Sequence, residues 1–164
     1  MQGRMWGNSD KTIVVGIDSC KEGTLTGYLF NARLGVCEDF QGLMQLLLEV
    51  EELLDEMNIS QAPDVLREFS APPEKKTKRA PPIEPQPGKC ATFAVQVLFR
   101  QNASWQGSVT WLDVGREEVF RSALELCLLM NSALTDSGSG AAKKKRPSTY
   151  RRRRRASKDA SLNK

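Results

Sequence analysis

The chain has 164 residues, enough for one domain or two very small ones, with 40% apolar residues. It holds no histidine, and its four cysteines, Cys20, Cys37, Cys90 and Cys127, form no C-x-x-C pair, which removes the usual zinc sets, the Ser-His-Asp triad and histidine acid–base chemistry. The net charge of +4 is unevenly spread: residues 141–164 hold eleven Lys/Arg against one Asp, so the remaining 140 carry −6.

The first thirty residues lack a continuous apolar stretch of secretory type, and no 18-residue apolar run occurs anywhere. No membrane partner and no disulfide framework are expected. The expected location is cytoplasmic, or nuclear if the source is eukaryotic.

Ile13, Val15 and Ile17 alternate as the inward face of a first strand. Lys21-Glu22-Gly23 reads as a turn, and a second strand runs from Leu25 to Phe30. Gly35 marks the next reversal, because glycine reaches positive φ without steric cost. A short third strand ends near Phe40. The period then changes from two to 3.6. Over Gln41–Met57 the residues Leu43, Leu46, Leu47, Val50, Leu54 and Met57 form one stripe, with Glu49, Glu51, Glu52, Asp55 and Glu56 mainly outside it. Residues 10–57 are thus expected to be one ββ(β)α unit.

Residues 58–90 hold seven of the eight prolines and the cationic run Lys75 to Arg79, and are expected to be a semi-extended linker. A second ββ(β)α unit is expected over residues 91–135. Its first strand carries Phe93, Val95, Val97 and Phe99, and its second runs from Trp105 to Leu112. Gly115 marks the reversal, and the third strand ends near Phe120. The helix over Ser122–Leu134 has Ser122 as N-cap with Glu125 as its capping-box partner. Its stripe is Ala123, Leu126, Cys127, Met130 and Leu134. Leu124, Leu128 and Leu129 widen that stripe, leaving little polar face and offering a surface for a homodimer. Ser137-Gly138-Ser139-Gly140 opens a polybasic tail over residues 136–164 that is expected to be disordered.

The two units coincide when the chain is shifted by eighty residues. Residues 12–54 fall on 92–134 without a gap, with nine identities that include Gly27/Gly107, Gly35/Gly115, Glu38/Glu118 and Phe40/Phe120. The expected fold class is therefore α+β: an internal duplication of a β-β-β-α unit, with antiparallel sheets and two packed helices. A unit of about 45 residues rarely carries a sufficient core alone. The units are expected to pack together about a pseudo-two-fold axis, or each with a second chain.

Candidate chemistry is thin. No phosphate-cradling glycine pattern is present, and no cofactor is expected. Glu38 and Glu118 could raise one another's pKa if they met across an axis, though a charge beside each helix start is the simpler reading. Cys20 beside Lys21 is the candidate for an activated thiol, since a nucleophilic thiolate needs a stabilising cation. Trp105 and Trp111, near Arg100 and Gln106, have the composition of a base-stacking surface. Their equivalence to positions of the first unit favours core.

The strongest local feature is the tail, where Lys143, Lys144, Lys145 and Arg146 are followed by Arg151, Arg152, Arg153, Arg154 and Arg155. Such blocks neutralise phosphates without reading bases. The sequence thus describes a non-enzymatic accessory protein that binds nucleic acid through its tail without sequence preference. The alternative is a protein-interaction or adaptor module, with an acidic protein as partner and a tail that serves for targeting or charge tethering.

Overall fold

A computed structural model describes residues 10–59, residue 69 and residues 86–138. Most of the linker, and the tail from residue 139 onward, lie outside the described residues.

The elements run β1 (Thr12–Lys21), β2 (Thr24–Asn31), β3 (Val36–Gln41), α1 (Leu43–Glu56), β4 (Ala91–Phe99), β5 (Gln106–Trp111), β6 (Arg116–Phe120) and α2 (Ala123–Gly138). All six strands belong to one antiparallel sheet in the order β3-β2-β1-β4-β5-β6. The fold is α+β, and its strands form one continuous sheet instead of one small sheet per unit. The join is the β1–β4 ladder, which pairs Thr12 with Gln96, Val15 with Phe93 and Ile17 with Ala91. It closes the inner edge of each three-stranded half, where unpaired N–H and C=O groups would otherwise face water.

Both helices lie on the same face of the sheet. Ile13, Val15 and Ile17 of β1 share one buried cluster with Phe93, Val95 and Val97 of β4, and Leu46, Val50 and Leu54 of α1 join Leu126 and Met130 of α2 in it. The helix α1 rests on β2 and β3, and α2 on β4, β5 and β6. A helix placed over each half covers apolar side chains that alternation puts on one side of the strands.

The two halves share the order of their elements and several local irregularities. The ladder slips between Ile17 and Ser19 in β1, and between Val97 and Phe99 in β4. Opposite each slip sits a glycine. A Cβ on Gly27 would run into the Gly16 carbonyl, and one on Gly107 into the Gln96 carbonyl, so only glycine permits this approach of the strands. Gly27 pairs with Phe40, and Gly107 with Phe120. The helix starts correspond as well. The Gln41 N–H donates to Gln45 Oε1 at 2.9 Å, and the Arg121 N–H to Glu125 Oε2 at 2.7 Å. Ser122 caps α2 as expected, its Oγ accepting the Glu125 N–H at 3.1 Å.

The opposite face of the sheet differs between the halves. Beneath the first half Val14, Tyr28 and Phe30 form a second buried cluster with Cys37 packed against it. The Tyr28 ring lies across Gly16, where any side chain would collide with it. The matching positions of the second half are Ala94, Ser108, Thr110 and Glu117, which give that side a polar character. The end of the linker is held here: Tyr28 Oη donates to the Gln86 carbonyl at 2.6 Å and the Lys89 N–H to Asp18 Oδ1 at 3.1 Å.

Phe40 and Phe120 are almost fully buried where each third strand turns into its helix. Phe40→Ala or Phe120→Ala should each cost about 3–5 kcal/mol, enough to unfold a marginal domain. Thermal melts check this, and unchanged melting temperatures in both variants would refute the placement.

Candidate functional site

The tail cations Lys143, Lys144, Lys145, Arg146 and Arg151, Arg152, Arg153, Arg154 and Arg155 lie outside the described residues. The described body contributes the charges, apolar faces and cleft that accompany them.

Arg100 is the most buried charge, only 5% exposed at the end of β4. Its guanidinium reaches across to α1, with Nη1 at 3.1 Å from Glu51 Oε1 and Nη2 at 2.7 Å from Asp55 Oδ1. The Trp105 indole N–H donates to the other oxygen of Glu51. A planar fork suits this arrangement, because its several donors serve two carboxylates at once. Glu51 and Asp55 stand one helical turn apart, so both present to one cation. The sequence places these two carboxylates outside the apolar stripe, on the helix side that reads as solvated. The structure turns that side into the clamp between the halves.

Trp105, also buried, belongs to the core. Trp111 is half-buried against the same core, its indole N–H held by Asp113 Oδ2 at 3.0 Å. Trp105 offers no free ring face for a base, and the half-buried Trp111 ring turns toward a cleft instead of standing on an open sheet surface. Glu38 and Glu118 sit on β3 and β6, the two outer edges of the sheet, and therefore cannot meet. Glu118 pairs with Arg116 at 2.9 Å.

Glu38 belongs to a different neighbourhood. Burial, then the charges of Glu52 and Glu56, holds its carboxyl above the usual range. Burial likewise raises Glu49, against the hydrogen bond from Gln45, with Glu38, Glu52 and Asp39 adding to the rise. The flank of α1 facing β3 is thus a field of carboxylates that disfavours phosphate. The second half has its own ion pairs, with Arg121 Nη2 at 3.0 Å from Glu125 Oε1 beside Arg116–Glu118. Three arginines of the body are therefore already engaged with carboxylates.

The cysteines show no cooperative arrangement. Cys20 and Cys90 are exposed, and Cys37 and Cys127 are half-buried. Burial pushes the thiols of Cys37 and Cys127 up, away from the nucleophilic thiolate. Among the described residues no group of three His, Cys, Asp or Glu could hold a metal ion, and no helix is long and apolar enough to cross a membrane.

Two apolar features remain on the surface. Met44 and Leu48 of α1 are 72% and 61% exposed, and Leu124 and Leu128 at the matching places of α2 are 69% and 59% exposed. The spacing i, i+4 aligns each pair along its helix. A cleft of about 540 Å³ opens between the C-terminal part of α2 and the outer strands of the second half.

No family model matches the chain, and neither the curated proteins nor the solved structures contain a match to it.

Arg100→Ala leaves Glu51, still held by the Trp105 N–H, and Asp55 without the cation they share. The loss should be about 1–3 kcal/mol, below that of a fully buried pair because the Asp55 carboxylate keeps contact with water. Asp55→Asn should cost less, since Glu51 still pairs. Denaturant unfolding checks both, and an Arg100→Ala variant as stable as the parent would contradict the clamp.

Tyr28 supplies a second test. Burial, then the charges of Asp18, Cys37 and Asp113, pushes its hydroxyl up to about 12. The folded state therefore keeps a proton that the unfolded chain releases near 10. The stability linked to this proton is fully present below pH 10 and is lost as pH rises toward 12. Tyr150 is the other tyrosine of the chain, so in a Tyr150→Phe background tyrosinate absorbance reports Tyr28 alone. Its midpoint should lie near the upper value, and a midpoint near 10 in the folded protein would overturn the assignment.

Proposed function

We propose that this chain is a non-enzymatic accessory protein, in which a duplicated α+β body carries a polybasic tail that holds nucleic acid without reading its sequence. The observation that carries this reading is the separation of charge: +10 in residues 141–164 against −6 in the rest. The pairing of Arg100, Arg116 and Arg121 with carboxylates supports it, since each of these cations is already partly offset and Arg100 is buried as well. An acidic flank on α1 adds repulsion. Beyond the small Lys75–Arg79 run, affinity for a polyanion then comes from Lys143–Arg146 and Arg151–Arg155.

Duplication is the reading of the body that best joins its features. The eighty-residue register, the two ladder slips, Gly27 with Gly107, and Phe40 with Phe120 recur together. Two unrelated β-then-α segments have no reason to share a glycine at the same slip.

A second reading has its own observation. Met44/Leu48 and Leu124/Leu128 are exposed apolar pairs at matching places. In an adaptor or a homodimer they would face the partner, and the tail would serve for targeting or as a charge tether to an acidic protein.

Titration against random-sequence DNA at several salt concentrations separates the two. If about eight phosphates are neutralised, log K falls against log salt with a slope near −7. Truncation after Gly140 should abolish binding, and changing the DNA sequence should matter little. Unchanged affinity after truncation would move the site onto the body. Absence of binding by the full chain even at low salt would make the adaptor reading the function.

A further inference from the structure

The cleft beside α2 has a counterpart in the first half, and that counterpart is filled. Beyond α1 the chain reverses at Asn58, which adopts a positive φ of 53°, and the Ile59 N–H bonds back to the Leu54 carbonyl at 3.1 Å. This reversal brings Met57 and Ile59 into the core, where each is 4% exposed. They close the space over the ends of β2 and β3 with Val36 and Leu53. Asn31 lies beneath them, its Nδ2 3.3 Å from Met57 Sδ.

Eighty residues on, the closing residues change. Val36 becomes Arg116 and Leu53 becomes Ala133. Met57 and Ile59 correspond to Ser137 and Ser139 in the sequence. The changes at Arg116 and Ala133 take apolar side chains away from the walls of this space. Asn31 becomes Trp111, which supplies an aromatic wall. The result is the open cleft, floored by Phe93, Val109 and Trp111, bounded by Leu129 and Ala133 of α2, and rimmed by the Arg116–Glu118 pair. Its volume of about 540 Å³ falls within the range of ligand sites.

We propose that this cleft receives a short peptide segment of a partner protein, which inserts a thioether or branched aliphatic side chain where the first half inserts Met57 and Ile59. The occupant is specified by the first half, which shows what the same sheet-and-helix geometry accepts: two apolar side chains two residues apart on a chain running past the helix end. The rim adds polarity to the recognition. Arg116 and Glu118 stand at the mouth with Ser132, Thr135 and Asp136 of α2, so a peptide backbone laid across it finds both donors and acceptors. The inference rests on the correspondence of the halves and is independent of the tail's affinity for nucleic acid.

The direct probe is a synthetic peptide, Met-Asn-Ile-Ser-Gln-Ala, which copies residues 57–62. It is titrated into the full-length protein while NMR follows the Trp111 indole and the Leu129 and Ala133 methyl groups. Saturable shifts confined to these groups are expected, with half-saturation on the order of 1 mM because so small a ligand spends much of its contact energy on association. Ser132→Trp at the exposed rim should occupy the cleft and abolish the shifts, while the protein's remaining spectrum stays folded. A control peptide with serine in place of Met and Ile should produce none. Absence of shifts at tenfold higher peptide, their spread over both helices, or their survival in Ser132→Trp would each overturn the proposal. So would shifts at the same groups that appear on raising protein concentration without peptide, which would identify a second copy as the occupant. Shifts that follow truncation after Gly140 would identify the chain's own tail, with the same consequence.

Discussion

The backbone ladder between β1 and β4 is the constraint on which the rest of this structure depends. Each half is three strands and a helix, too small to enclose a core of its own. Pairing Val15 with Phe93 across the join sets two fully buried side chains in adjacent strands and makes the inner faces of both halves continuous. The same step removes two strand edges. Ile13, Ile17, Val95 and Val97 are buried at the centre for this reason, although neither helix alone could cover them.

Within that frame the halves differ in what they expose. The first half is closed on both faces: Met57 and Ile59 seal one, and Tyr28 and Phe30 pack on the other. The second half is open in both places, with a cleft beside α2 and polar residues on the reverse face. Arg100 binds the two together from the second half to α1, where two carboxylates a helical turn apart share one cation. The remaining acidic residues of α1 stay grouped toward β3. Burial and mutual repulsion raise Glu38 and Glu49 there. A carboxylate cluster of this kind is electrostatically unfavourable for a polyanion.

Much of the α+β architecture was legible in the sequence. Strict alternation placed β1 and β4, and the change to a 3.6-residue period placed both helices. The invariant spacing of Phe40 and Phe120 located where strand meets helix. Three things were not legible, each for a physical reason. The β1–β4 join needs strand partners eighty residues apart, and alternation alone does not choose a partner. Glu51 and Asp55 have the helical spacing of a solvated face, and only the tertiary position of Arg100 gives them another role. Ile59 joins the core from just past the helix, and a single apolar residue entering a proline-rich segment carries no periodicity to announce it. The cleft was hidden as well, because it is walled by residues of β4, β5, β6 and α2 that only the fold brings together.

Native-state hydrogen exchange tests the central role of the join most directly. Amides of β1 and β4 that bond to one another should exchange only through complete unfolding, with a single free energy equal to that from denaturant melting. Amides of the inner strands in the two halves should therefore give the same value. A half whose β1 or β4 amides exchange at a distinctly lower free energy, while the other half stays protected, would mean that the halves fold separately and that the ladder merely joins two independent cores.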